Sequence, residues 1–95
     1  TQVFYYSKKD YYYLIKKYFP KDQWENAYKV MIWESGGNPM AVGRAGEIGL
    51  FQIMPFSNRP PRDQLFNPEI NIKFAAELYK WQGWRPWTSA RKMGL

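Results

Sequence analysis

The chain contains neither cysteine nor histidine. Without cysteine, no disulfide and no thiolate metal site supports the fold. Without histidine, the commonest general base and metal ligand is missing, so acid–base chemistry must come from carboxylates, tyrosine or lysine. No metal and no other cofactor is expected. Acidic residues are scarce as well: eight Asp and Glu stand against fourteen Lys and Arg, a net charge of +6. No apolar run approaches a membrane span, the N-terminal residues show no signal-peptide pattern, and no repeat or low-complexity tract interrupts the chain. Ninety-five residues read as one domain over 1–95, a monomer near the small end of what folds alone.

Aromatic rings are plentiful. Five Trp, eight Tyr and six Phe make up 20% of the residues, more than so small an interior can hide. Some must reach the surface, where rings suit stacking on sugars or bases. The positive charge favours an anionic partner: nucleic acid, a membrane surface or an acidic cell-wall polymer. Charge alone does not choose among them.

Apolar spacing predicts mostly helix. Tyr11, Leu14, Ile15, Tyr18 and Phe19 recur at i, i+3, i+4, i+7 and i+8, with Lys8, Lys9, Lys16 and Lys17 largely off that stripe as a solvated face. Pro20 stops this helix. Asp22 with Glu25 reads as a capping pair for a second helix, on which Trp24, Ala27, Val30, Met31 and Glu34 share a face. Gly36-Gly37 and Asn38-Pro39 end it. Glycines 43, 46 and 49 are spaced too closely for a long helix, so residues 40 to 54 read as an irregular, short-stranded lobe. Asn58 to Arg62 is a turn or extended connection. Asn67 and Pro68 cap a third helix that is apolar nearly all round, through Trp81, and Gly83 ends it. Residues 89 to 93 add a last short turn.

Glu34 is the residue with chemical promise. It continues the buried stripe of its helix instead of pointing to solvent, and it opens onto a glycine-rich segment that carries Gln52. Apolar surroundings disfavour a charged carboxyl and raise its pKa toward the range of a general acid near neutrality. By itself, however, Glu34 reads as a helix-end carboxylate satisfied by backbone donors.

Three ordered blocks change that weighing. Glu34-Ser35-x-x-Asn38-Pro39-x-Ala41-Val42 is followed by Gly46-x-x-Gly49-Leu50-Phe51-Gln52-Ile53-Met54-Pro55, and then by Phe66-Asn67-Pro68-Glu69-Ile70-Asn71-Ile72 with Tyr79 beyond. Together they resemble the signature of soluble lytic transglycosylases and goose-type lysozymes over roughly residues 20 to 87. Three blocks in order are far more specific than one short motif. The resemblance implies a mainly α, lysozyme-like fold (α+β in the broad sense), with a compact helical body and a small irregular or β lobe beside a substrate cleft. It implies cleavage of the β-1,4 bond between N-acetylmuramic acid and N-acetylglucosamine in peptidoglycan glycan strands, and hence an extracytoplasmic place of action. Glu34 would protonate the glycosidic oxygen, then act as base toward the muramoyl O6 hydroxyl, giving a 1,6-anhydro product. Gln52 and Met54 would line the sugar sites, and Ser35 would orient Glu34 or the local backbone. Glu47, Tyr79 and Trp84 complete the expected substrate-binding set.

The chain departs from the family pattern twice. Nine residues after the glutamate, where a substrate-contacting serine is usual, stands Gly43. The usual Ala-Tyr-Asn-Ala-Gly block is absent, and Gly83-Trp84-x-x-Trp87 stands where it would be. Glycoside hydrolysis commonly needs two carboxylates, about 5 Å apart for retention or roughly 6.5–9.5 Å for inversion. Glu47, Asp63 and Glu69 are the available seconds, and none is marked by a motif.

Blander readings stand beside these. Glu47 reads equally as a solvated loop acid, Gln52 as an amide bonding its own lobe, and Asn71 as a buried structural amide. Tyr79, Trp81, Trp84 and Trp87 are core in the first instance. Against the enzyme stand two other classes: a catalytically silent glycan-binding module on the same fold, and a basic, aromatic nucleic-acid binder. Intact Glu34 speaks against the first, and nothing beyond charge and rings speaks for the second.

Overall fold

The computed structural model describes residues 11–95, so Lys8 and Lys9 of the expected solvated face lie outside the described residues. Among the described residues, helix α1 covers residues 11–18 and breaks before Pro20. Leu14, Ile15 and Phe19 are buried, while Lys16 and Lys17 are exposed. Across the break, the Trp24 indole donates to the Phe19 carbonyl at 3.0 Å. The expected Asp22–Glu25 capping pair does not form. Pro20 instead opens a 3-10 turn, Lys21–Gln23, that runs directly into helix α2, Trp24–Ser35. Asp22 therefore already lies inside a helical turn, and Glu25 accepts a hydrogen bond from the Tyr12 hydroxyl.

Helix α2 buries Ala27, Val30 and Met31. It ends at Gly36, whose φ of 64° is the left-handed conformation that most side chains resist. The segment that follows is the expected irregular lobe. Two isolated antiparallel bridges, Val42 with Ile48 and Ile48 with Ile53, hold it together. Ile48, Leu50, Phe51 and Ile53 turn inward and are buried, so the lobe is a part of the core and not an appendage.

A second 3-10 turn, Gln64–Phe66, leads into helix α3, Pro68–Gln82. Its start is as the sequence indicates: the Asn67 side chain accepts from the Glu69 and Ile70 amides, Pro68 occupies the first turn, and Gly83 caps the other end. One expectation fails. Helix α3 is not apolar all round, because Trp81 is 81% exposed. At about 100° per residue, Trp81 falls with Glu77 and Phe74 on the side away from buried Ile72 and Ala75. Helix α4, Thr88–Lys92, closes the chain with Ser89 and Ala90 buried.

Asn71 ties the lobe to α3. It is fully buried; its Oδ1 accepts from the Phe51 amide, and its Nδ2 donates to the Ile48 and Leu65 carbonyls. Gly49 leaves the room for this: a Cβ there would press on Asn71 Nδ2 and lie 2.5 Å from the Leu65 carbonyl oxygen. Among the described residues, no helix is long and apolar enough to cross a membrane.

Candidate active site

Glu34 lies in the last turn of α2, half-buried, one turn beyond Val30 and Met31. Burial is the main force on its carboxyl and raises the pKa above the ordinary value. The Ser89 hydroxyl opposes this by donating to Glu34 Oε2 at 2.6 Å, and the negative charge of Glu47 raises the pKa again. A carboxyl under these influences holds its proton to higher pH than a solvated one, as a general acid requires.

Glu47 and Gln52 meet beside Gly43. A Cβ on Gly43 would press on Glu47 Oε1 and lie 2.6 Å from Gln52 Oε1. No side chain can therefore stand at position 43 while these two keep their places. Glu47 Oε1 also accepts from the Ala45 amide, which fixes the carboxylate over the lobe. Gln52 is the single non-glycine with positive φ among the described residues, at 52°, a conformation that costs about 1–2 kcal/mol. Its Nε2 donates to the Ala41 and Gly49 carbonyls. The amide nitrogen thus serves the lobe, and the oxygen is the end turned toward Gly43 and Glu47.

The other expected site residues are distributed differently. Ser35 Oγ donates to the Met31 carbonyl and accepts from the Gly37 amide, so it finishes the helix end and serves the local backbone. Met54 is half-exposed just after the second bridge, where its carbonyl accepts from Phe56 and Arg59. Tyr79 and Trp84 are half-buried in an aromatic cluster. Trp84 stacks on Phe19 at 5.7 Å, meets Tyr79 at 4.8 Å and Trp87 at 5.4 Å. The Trp84 indole donates to Gln23 Oε1 at the start of α2. Gln23 and Glu34 stand eleven positions apart along the helix, roughly 16 Å at 1.5 Å per residue. The structure therefore groups Glu34, Glu47, Gln52 and Ser89, and sets Trp84 toward the other end of α2.

Of the possible second carboxylates, Glu69 is engaged elsewhere. Lys17 and Tyr18 donate to it and hold its pKa below the ordinary carboxyl value. Asp63 is exposed before the second 3-10 turn. Glu47 is the acid whose charge reaches Glu34. Among the described residues, no three His, Cys, Asp or Glu side chains assemble into a metal site.

Ser89 is the group that sequence reasoning missed. It lies 55 positions from Glu34, and no local pattern marks it. The family model described as the transglycosylase SLT domain matches residues 13–85. That span takes in Glu34, the lobe and α3 but stops short of Ser89. No solved structure matches the chain.

Proposed function

The chain belongs to the transglycosylase SLT domain family, and from that premise we propose that it cleaves the β-1,4 bond between N-acetylmuramic acid and N-acetylglucosamine in peptidoglycan as a lytic transglycosylase. The observation that carries this reading is Glu34, a half-buried carboxyl with a raised pKa, standing next to a lobe that presents Glu47 and Gln52. Protonated Glu34 gives its proton to the glycosidic oxygen as the bond to muramoyl C1 breaks. Positive charge then develops at C1, and the Glu34 carboxylate lies beside it. The carboxylate next takes the proton of the muramoyl O6 hydroxyl while O6 bonds to C1. The products are a 1,6-anhydromuramoyl end and a free 4-hydroxyl on N-acetylglucosamine, with no water consumed. Gln52 Oε1 and the Glu47 carboxylate are acceptors suited to the N–H and hydroxyl groups of the glycan, and Met54 lies at the rim of the same lobe. Such an enzyme works where peptidoglycan is, outside the cytoplasm.

Glu47 also supports a second reading. With Glu47 as base toward a water, the enzyme would be a hydrolytic lysozyme on the same fold; what supports this reading is that the Glu47 charge is felt at Glu34. Mass spectrometry of digested cell wall separates the two. Anhydromuramoyl ends are expected, and reducing muramic acid as the dominant product would favour hydrolysis. Glu34→Gln keeps the shape and removes the transferable proton, a change worth about 10²–10⁴-fold in rate. A folded Glu34→Gln protein that clears cell wall at near wild-type rate would refute both.

A further inference from the structure

We propose that Ser89 is a positioning residue for Glu34, and that the short helix α4 exists in this chain to hold its hydroxyl there. The inference rests on Glu34 being the acid–base group of the proposed reaction. Ser89 is 3% exposed, and its hydroxyl donates to Glu34 Oε2 at 2.6 Å. A serine has one proton to give, so committing it here fixes both the hydroxyl and the carboxylate oxygen it meets. Its neighbour Trp87 secures the element. The Trp87 ring is 4% exposed, and its Nε1 donates to the Phe51 carbonyl at 2.9 Å. Phe51 precedes Gln52 in the lobe, so α4 is referenced on one side to the lobe and on the other to Glu34. Five residues cannot hold a helix by themselves. Buried Ala90 and the Trp87 anchor fix its place.

The effect on chemistry follows from the direction of the bond. A hydroxyl that donates to a carboxylate favours its charged form. Ser89 thus limits how far burial lifts the Glu34 pKa and steadies the carboxylate that must later act as base. Charged groups on the surrounding elements are Arg44 and Glu47 in the lobe, Glu25 and Lys29 on α2, and Arg91 and Lys92 on α4. Of these, Glu47 alone acts on Glu34. Arg91 is exposed and donates to the Arg85 carbonyl. Among the described residues, the Ser89 hydroxyl is accordingly the group that opposes burial at this carboxyl.

The test is the titration of the Glu34 carboxyl carbon, followed by NMR in the full chain and in Ser89→Ala, Ser89→Cys and Ser89→Thr. Loss of the hydroxyl in Ser89→Ala should raise the midpoint by about one pH unit, the size expected for one hydrogen bond to a charged group. The alkaline limb of the rate profile on soluble muropeptides should move up with it, kcat should fall about tenfold and KM should stay the same. Ser89→Cys keeps the volume with a weak donor and should shift the midpoint in the same direction; it carries the test alone if the alanine variant does not fold. Ser89→Thr, which retains the hydroxyl, should restore the wild-type midpoint. An unmoved Glu34 midpoint in a folded Ala or Cys variant overturns the proposal. If the midpoint moves as expected but Glu34→Gln remains active, the positioning role stands and the assignment of Glu34 as acid–base group falls.

Discussion

Replacing Asn71 by leucine tests how the lobe is held in place. Leucine keeps the branching and the number of side-chain heavy atoms and deletes the amide. The Phe51 N–H and the Leu65 carbonyl then lose their Asn71 partner in a fully buried place, while the Ile48 carbonyl keeps the Ile53 amide. A buried polar group left unsatisfied costs about 1–3 kcal/mol, so two cost about 2–6 kcal/mol. The added apolar atoms return about 1–2 kcal/mol of burial, leaving a net loss of about 3 kcal/mol. Against a typical total stability of about 5–15 kcal/mol this is severe, and it lowers the melting temperature by roughly 12–24 °C in a domain of this size. Urea unfolding followed by circular dichroism reads the loss. Gly49→Ala attacks the same bond from the other side, because its Cβ would press on Asn71 Nδ2 and the Leu65 carbonyl. The two substitutions should therefore add up to less than their sum in the double variant. A folded Asn71→Leu protein within about 0.5 kcal/mol of wild type, the range of an ordinary surface change, would refute the claim that this amide holds the lobe to α3. Strictly additive losses would show that Gly49 and Asn71 do not share one bond.

Glu34→Gln should change stability as well as activity, and the sign depends on pH. Because burial raises the folded pKa above the ordinary 4.5, the native state binds the proton more tightly than the unfolded chain. Wild-type stability thus declines as pH rises from the unfolded value through the folded one. The Gln variant lacks that decline, so its melting temperature should exceed wild type above this window and match it below; equal melting curves at neutral and acid pH would contradict the burial of a charge at Glu34. Gly43→Ser would put a side chain where Glu47 Oε1 and Gln52 Oε1 now lie and should cost about 1–3 kcal/mol of overpacking with a loss of cell-wall clearing. An unchanged melting temperature together with full activity would show that the two side chains are free to move aside.

Helix positions were legible because their signals are local. The stripe through Leu14, Ile15 and Phe19, the Asn67–Pro68 start of α3 and the glycine stops at 36 and 83 each depend on a few neighbouring residues. The lobe was legible as irregular for the same reason, since its glycines forbid a long helix. Asp22 misleads because Pro20, besides stopping α1, starts the next helical turn, which puts Asp22 inside the turn and not ahead of it. Trp81 and Trp84 look alike in sequence; only packing separates an exposed indole from one that stacks on Phe19 and bonds Gln23. The motif led to Glu34 and Gln52, and Glu47 stood only as one of three acids in reach. It did not lead to Ser89, because a bond between residues 55 positions apart leaves no periodicity and no cap pattern to read.

The two departures from the family pattern concern the surroundings of one carboxyl. At Gly43 the chain lacks the usual serine, and the space belongs to the Glu47 carboxylate and the Gln52 amide oxygen. Near the C-terminus the usual tyrosine block is absent, and α4 brings a serine hydroxyl to Glu34. The first change adds negative charge near Glu34 and pushes its pKa up; the second adds a donor and pulls it down. In the proposed reaction one group must release a proton and then reclaim one, which works best when its pKa lies close to the working pH. Too strong a hold on the proton weakens the acid step, and too weak a hold leaves no acid to start it. A glycine that admits Glu47 and a serine that answers it act in opposite directions on that single equilibrium, so removing either alone should shift the Glu34 pKa in the direction the other favours.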